Sequence, residues 1–278
     1  MLGLKIYINP IYFNYIIINF ISPFLDKNDS KIKKNNFFFE RKIQIEFSHI
    51  QLVMDDTHSS LNLEEEITSA WKRFFKKNKK VFQVENHDIN SSIFSGYPKG
   101  HIKFIPEVNS IFKYIHSTTN ITKASIKILD ITLKTNDFQF INYMLRALMV
   151  FIYCLGSYSK KKIQKNIDLI LRTIHFSEEN EQLLNDKVSS IIIENEILLK
   201  DLSIEIYEEL FSFNSASSYP SYLSDWKYSL GILKNTLSHN QKEKTAAFNL
   251  FKNQINLGDA QVYVMLKIFK ESIYFDED

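Results

Sequence analysis

The spacing of apolar residues changes character about halfway along the chain. From residue 137 onward, apolar positions recur at helical intervals and no alternating or glycine-rich stretch interrupts them. The segments that this pattern predicts as helical are 137–155, 159–175, 178–199, 202–213, 219–237, 240–255 and 258–273. The sequence therefore predicts an α-rich α+β protein, with a small mixed α/β region at 37–136 and an all-helical domain at 137–278.

Strand patterns occur only in the mixed region. Apolar and polar residues alternate over 43–47, as in a half-buried strand into which residues 37–39 lead, and the phase of the alternation changes after His49, which predicts a bulge or the end of the strand there. Short apolar runs at 81–84 and 101–105 predict two more strands. The run 121–133 fits either a strand or a helix.

A helix is predicted at 63–78. Asn62 followed by Glu65 fits an N-cap with a side chain reaching back from the first turn. Acidic residues open this helix and basic residues close it, which is the order that the helix dipole favours. The apolar residues that fall on one helical face are Leu63, Ile67, Ala70, Trp71 and Phe74.

The first 25 residues form an apolar segment with two interpretations. The twenty residues from Ile6 to Leu25 carry no charge, which is about the length of a membrane-spanning helix. Three asparagines and two prolines weaken that interpretation, because amides need partners in hydrocarbon and proline removes a donor. The alternatives are a membrane contact and a buried strand or helix. Residues 26–36 are almost entirely polar and are predicted to be a linker, and the cations of 27–42 would keep the following part cytoplasmic.

Composition excludes several classes of site. The six glycines cannot form the glycine-rich phosphate loops or the nucleophile elbow. The single Cys154 cannot close an intramolecular disulfide or form a thiolate metal cluster, which fits a reducing compartment. We therefore expect a cytoplasmic protein with no cofactor. The net charge of +2 is too small to indicate a polyanion-binding protein.

The helical half resembles a known family. The stretch 238–244, the turn at 255–260 and the apolar residues Val264, Leu266 and Phe269 resemble the end of a TerB-like tellurite-resistance helical domain, and a fainter copy begins at 155–159. Two copies would cover about 140–273. The acidic loop of that family is absent here, so the resemblance implies no metal site. It implies a helical protein-interaction module in a stress or defence setting, possible at the cytoplasmic face of a membrane.

Two residue clusters are candidate sites. The basic cluster, interleaved with aromatic residues, fits nonspecific binding of nucleic acid or an anionic surface, although a solvated helix end is the favoured explanation. Its members are Lys72, Arg73, Lys76, Lys77, Lys79 and Lys80. The second cluster offers carboxylate and imidazole ligands for a metal, although a solvated turn before the helix at 63 explains most of it. Its members are Asp55, Asp56, His58 and His87.

Together these patterns predict an adaptor or scaffold that acts through its helical half on an unknown protein partner; whether it is an enzyme stays open, with the absence of a catalytic motif weighing against it. Two alternatives remain open at this point. One is a nonspecific nucleic-acid-binding protein that uses the basic cluster. The other is a metal-dependent hydrolase built on the carboxylate and histidine cluster.

Overall fold

Helices and a small antiparallel sheet make up the described part of the chain, so the predicted class, α-rich α+β, is confirmed. The structure is a computed structural model that describes residues 2–29, 37–44, 48–54, 63–83, 100–105, 118–135, 137–156, 159–211, 221–236 and 240–272. The chain divides into two compact units. The first contains residues 1–130 and 253–255, and the second contains residues 131–252 and 256–278.

The sheet of the first unit has four antiparallel strands in the order β2-β3-β1-β4. Leu4 is the central point of its register, because it lies opposite Leu52 on one side and Phe104 on the other. Leu52 in turn lies opposite Phe39. The strands are β1 (Leu2–Tyr7), β2 (Phe37–Lys42), β3 (His49–Met54) and β4 (Ile102–Ile105).

Of the three predicted strands, the one at 101–105 is confirmed, and the other two are wrong over the residues that the structure describes, 43–44 and 81–83; residues 45–47 and 84 lie outside the described part. Ile102–Ile105 forms the edge strand predicted at 101–105. Residues 43 and 44 instead follow the end of β2, where Ile43 is exposed and the Ser48 hydroxyl donates to the carbonyl oxygen of Gln44 across the connection. Val81–Gln83 is a 3-10 turn. Alternation is a poor guide here because all six residues of β3 are buried, so both of its faces are covered.

The N-terminal helical segment, residues 10–27, belongs to the core of the first unit. Its apolar residues, among them Phe13, Ile17 and Phe20, pack with the sheet residues in one hydrophobic cluster. The interpretation of 6–25 as a membrane span is therefore wrong, since burial against the sheet explains the missing charges. No helix among the described residues is long and apolar enough to cross a membrane. The segment consists of a 3-10 turn (Pro10–Tyr12), α1 (Phe13–Ile16), a π-helical turn (Ile17–Ile21) and α2 (Ser22–Lys27).

The helices that follow agree closely with the helical spacing. The 63–78 prediction corresponds to α3, and the ambiguous run 121–133 lies in α4. The predicted break near 200 is absent, because Ser203 lies buried inside one long helix that instead kinks at Asn195. The bounds are α3 (Leu63–Lys77), α4 (Thr118–Thr132), α5 (Asp137–Cys154), α6 (Lys160–Leu171), α7 (Glu178–Phe211), α8 (Ser221–Gly231), α9 (Leu233–Thr236), α10 (Gln241–Gln254) and α11 (Asp259–Ser272).

Candidate functional site

A groove in the first unit lies between the N-terminal helical segment and α3. Its volume is about 470 Å³, which falls in the range of small-molecule sites. The buried rings of Phe20 and Phe24, together with Ala70, supply apolar lining. The other residues that line it are Asn19, Pro23, Lys27, Asn28, Glu65, Glu66, Ser69 and Arg73.

Helical spacing explains which side chains reach the groove from α3. Glu65, Ser69 and Arg73 are four residues apart, lie on one face and are exposed, whereas Ile67 and Trp71 of the same helix are buried in the core. An amphipathic helix thus presents its polar face to the groove and its apolar face to the sheet. The polar face was visible in the sequence, but its partner wall was not.

The opposite wall follows the same spacing. Asn19, Pro23 and Lys27 are four residues apart and exposed, while Phe20, Phe24 and Asn28 follow one position later and are buried. The side-chain amides of Asn19 and Asn28 donate to the carbonyl oxygens of Tyr15 and Phe24, so they are held along their own helical turns. The wall is therefore built by one continuous helical segment.

Three contacts give the relative direction of the two walls. The Tyr15 hydroxyl donates to the Asn78 side-chain oxygen at 2.9 Å, and five residues later the Phe20 ring lies 5.1 Å from the Trp71 ring and 5.3 Å from the Phe74 ring. Residue numbers rise along one wall while they fall along the other, so the walls run antiparallel. Lys27 consequently lies at the end of the groove that holds Glu65 and Glu66.

The charges of the groove are separated along its length. Arg73 lies at the Phe20 end, about 11–12 Å of helical rise from Glu65 and Glu66. A guanidinium binds carboxylates and other planar anions, whereas a pair of carboxylates binds amines and exchanges protons. The Arg73 end therefore suits an anionic group of a ligand, whereas the other end combines the two carboxylates with the Lys27 ammonium and suits a polar group. The aromatic wall between them fits an apolar middle.

The six predicted basic residues are all exposed around the second half of α3 and the turn after it. Of these, Arg73 lines the groove, and Lys72, next to it in the chain, does not. The aromatic side chains of this stretch pack inward instead. Trp71 is buried, and its indole N–H donates to the Gly100 carbonyl oxygen at 3.0 Å. That the whole cluster binds nucleic acid or another anionic surface stays a prediction.

The predicted metal ligands Asp55, Asp56, His58 and His87 lie outside the described residues. The structure describes two other histidines of the first unit, His49 and His101. His49 is buried beside Tyr7 at 5.3 Å between ring centroids, and Tyr7 also stacks on the exposed His101. Among the residues that the structure describes, no group of three or more His, Cys, Asp or Glu side chains is arranged to hold a metal ion.

The second unit contains a buried ionic cluster that sequence reasoning missed. Arg146 donates from Nε to Glu209 Oε2 at 2.9 Å and from Nη2 to Glu209 Oε1 at 3.3 Å, and Nη2 also pairs with Glu205 at 2.8 Å. Burial by itself lowers the pKa of Arg146, but the hydrogen bond and charge of Glu209 and the charge of Glu205 raise it overall. The sequence did contain a signal for this ion pair, because Arg146 is a charged residue inside the apolar run of α5.

Lys227 completes the cluster at the end of α7. Its ammonium donates to the carbonyl oxygens of Glu209 and Leu210 at 2.6 and 3.1 Å, where the last turn of a helix has free acceptors. Burial lowers the pKa of Lys227 and raises that of Tyr222 to about 12. These contacts explain a helix end and a packed interior, so we regard this cluster as structural.

Comparison with known proteins establishes similarity of fold. No family model and no curated protein matches the chain. Among solved structures, TbtD, a pyridine synthase from thiomuracin biosynthesis, has a similar fold with a TM-score of 0.63, 9% sequence identity and coverage of 98% of this chain and 96% of TbtD. TsrL has a TM-score of 0.61 and 11% identity, with coverage of 98% of this chain and 95% of TsrL.

These similarities correct the assignment made from sequence. The chain resembles TbtD and TsrL over nearly its whole length, including the sheet, so the TerB-like assignment of the helical half is wrong. Polar helix starts followed by amphipathic helices recur in many helical folds, which is why that pattern misled. The adaptor function inferred from it is wrong as well, and neither alternative, the nucleic-acid-binding protein or the metal-dependent hydrolase, gains support.

Proposed function

We propose that the chain is a biosynthetic enzyme that closes a nitrogen-containing aromatic ring of the pyridine type. The observation that carries this proposal is the fold similarity to TbtD, a pyridine synthase, over 98% of this chain and 96% of TbtD. A resemblance confined to one helical bundle would say little about activity, because common folds host many functions. Coverage of both units is a stronger reason to test the same chemistry.

The groove between the N-terminal helical segment and α3 is the proposed substrate site. Reaching an aromatic ring from a non-aromatic precursor requires the removal of protons from ring atoms and the protonation of leaving groups. Glu65 and Glu66 provide carboxylates for such transfers, and Arg73 provides a cation that orients an anionic part of the substrate. The rings of Phe20 and Phe24 provide an apolar surface for the forming ring.

We also propose the finer division of the fold into functional domains. The mixed region at 37–136, with the N-terminal segment packed in its core, and the helical domain at 137–278 would act as separate functional parts. Support comes from the chain's division into two compact units.

A cytoplasmic location is a further part of the proposal. The chain has one cysteine, Cys154, and it is buried in the second unit. A protein whose only thiol is packed in the core does not depend on an oxidising compartment for its stability.

The first experiment is a conversion assay with the full-length purified chain. The substrate that TbtD converts would be incubated with this chain and, in parallel, with TbtD, and the products compared by mass spectrometry. In a second arm, the gene would be deleted in the source organism and extracts compared for compounds containing a pyridine ring. Conversion, or loss of such a compound on deletion, supports the proposal; failure of both arms contradicts it.

A matched pair of variants tests the groove. Arg73→Ala removes a cation that lines it, whereas Lys72→Ala removes an adjacent exposed cation that does not. For an enzyme that uses the groove, we expect kcat/KM to fall by about tenfold or more in the Arg73 variant and to change less than about twofold in the Lys72 variant. Equal effects of the two substitutions would place the substrate elsewhere.

A further inference from the structure

An exposed apolar surface lies on α7, around and beyond its kink. The side chains of Ile193 and Ile197 are 78% and 79% exposed, and Leu198 and Ile204 are 55% and 47% exposed. The kink is at Asn195, whose backbone dihedral angles leave the helical region and whose side-chain amide donates to the Ile191 carbonyl oxygen. Several large aliphatic side chains grouped on one helix mark an interaction surface more often than scattered single residues do.

The same helix is strongly acidic. Between Glu178 and Phe211 there are ten carboxylates and two lysines, a net charge of −8 in a chain whose total is +2. Glu194, Glu196 and Asp201 are exposed beside the isoleucines. We call this surface the acidic stripe, made of Ile193, Ile197, Leu198, Ile204, Glu194, Glu196 and Asp201. Two acidic stripes would repel one another, so the surface requires a partner that is both apolar and basic.

The first unit carries a surface with that chemistry. No acidic residue occurs between Ile67 and Gln83, and Lys79 and Lys80 are exposed beside Val81, which is itself 36% exposed. Ile11, 74% exposed, comes from the N-terminal helical segment. The ring of its neighbour Tyr12 lies 5.2 Å from the ring of Phe82, so the turn that carries Ile11 packs against the turn that carries Val81. We call this surface the basic patch, made of Ile11, Val81, Lys76, Lys77, Lys79 and Lys80.

We propose that the chain associates with a second copy of itself, with the acidic stripe of one copy docked on the basic patch of the next. Exposed isoleucines on the stripe meet Ile11 and Val81, while Glu194 and Glu196 face the lysines. Both surfaces are exposed in the single chain, so each is open to another molecule. Such an interface joins two different surfaces: a reciprocal pair of these contacts closes a two-fold dimer, and a single contact per pair builds rings or chains of copies.

Sedimentation velocity of the full-length protein tests the association. We expect the weight-average mass to rise above the 32.8 kDa of one chain as the concentration increases through the micromolar range. The rise should be smaller in about 1 M than in about 0.1 M salt, because the screening length falls from about 10 Å to about 3 Å. A mass that stays at one chain, or an association that salt does not weaken, would overturn the proposal.

Charge exchange tests the pairing itself. Glu194→Lys with Glu196→Lys makes the stripe's three acidic positions net basic, and Lys76→Glu with Lys79→Glu and Lys80→Glu makes the patch's four basic positions net acidic, all at exposed positions. Each variant alone should remain a single chain, whereas a mixture of the two should associate, because each docking surface then has an oppositely charged partner. If the mixture fails to associate while both variants keep the wild-type circular dichroism and melting temperature, the proposed pairing is wrong.

A pair of apolar substitutions separates this surface from general effects. Ile197→Asp places a charge on the stripe, and Ile141→Asp places one on α5 at a residue that is also largely exposed. We expect at least a tenfold weaker association for the Ile197 variant, about 1.4 kcal/mol, and no change for the Ile141 variant. Equal weakening by both substitutions would point to another occupant of the stripe or to nonspecific association. It would contradict the proposal that a second copy docks on the stripe.

Discussion

In the first compact unit the buried Arg41 donates to a neutral acceptor, whereas in the second the buried Arg146 donates to carboxylates. Arg41 Nε and Nη2 lie 3.1 and 2.9 Å from the backbone carbonyl oxygen of Gln254, and burial lowers the pKa of Arg41 to about 9. Around Arg146 the carboxylates of Glu209 and Glu205 outweigh burial and raise the pKa. Desolvation acts in the same direction on both arginines, so the partner decides the outcome.

The difference has a structural cause in each unit. Arg41 lies on β2 and reaches the end of α10, where the Gln254 amide also donates to the Phe39 carbonyl oxygen and the Thr122 hydroxyl. A neutral network thus ties together segments more than two hundred residues apart in sequence. Arg146 instead joins α5 to α7 by an ion pair. Arg41 thus remains a desolvated cation on a neutral acceptor, while Arg146 is compensated by charge.

The largest effect is expected from Arg146→Met. It leaves the Glu209 carboxylate, whose side chain is 11% exposed, without its cation, and breaking a buried pair in this way costs about 3–5 kcal/mol. Urea denaturation followed by circular dichroism measures this loss in the free energy of unfolding. The double variant Arg146→Met with Glu209→Met should recover most of it, because an apolar pair of similar volume needs no compensation. A double variant as unstable as the single would show that the ion pair is not the cause.

The thiol of Cys154 is expected to react roughly a thousandfold more slowly in the folded protein than in the unfolded one. Burial raises its pKa from 9.0 to about 12, so the folded protein holds far less thiolate at pH 8. Reaction with a thiol-specific disulfide reagent, in buffer and in guanidinium chloride, compares the two rates. Equal rates would mean that Cys154 is not held in the core.

The same shift makes a pH-dependent contribution to stability. The folded state keeps the thiol proton above pH 9 while the unfolded state releases it, so the free energy of unfolding should fall as the pH rises from about 9 toward 12. Cys154→Ala should remove this part of the decrease. An identical slope in the two proteins would contradict the assignment.

Arg41→Met is expected to cost less than Arg146→Met, about 1–3 kcal/mol. It leaves the Gln254 carbonyl oxygen without its donors but strands no charge. Urea denaturation of the two variants side by side is the direct test of the comparison between the units. A loss at Arg41 equal to or larger than that at Arg146 would show that a neutral acceptor holds a buried guanidinium as firmly as a carboxylate does.

The smallest effect is expected at the exposed end of α3. Lys76→Ala should change the free energy of unfolding by less than about 0.5 kcal/mol, because the side chain is exposed and its charge is solvated. The same denaturation experiment provides the value. A loss comparable to that at Arg41 would show that these lysines are part of the fold rather than of its surface.

Local periodicity carried most of the helix assignments. The inward face of α3 follows from the helical spacing of Ile67, Ala70 and Trp71. The order of acidic and basic residues matches the two ends of the helix. The predictions failed where contacts with neighbouring elements determine the local structure. Residues 43–47 alternate like a strand although β2 ends at Lys42, since strand pairing with β3 rather than pattern sets its end.

The candidate site was predictable only in part. Arg73 was identified as one of a set of exposed cations, and the structure places it on the groove. Lys27, Asn28 and Glu66 were not singled out as partners, because they belong to walls about forty residues apart in the chain. Spacing along one helix shows which residues share a face, but it contains no information on the helix that will lie opposite.

By itself, the sequence determined the fold class, the helices and the face that each helix turns inward, because periodic burial is a local property of the chain. Only the tertiary structure decided that residues 6–25 lie in a protein core, that Arg146 has carboxylate partners and that two helical walls form a groove. These outcomes depend on contacts between residues distant in sequence. An uncharged stretch or a lone arginine has the same local pattern in a membrane, in a core and at a site, and the surroundings that distinguish them arise on folding.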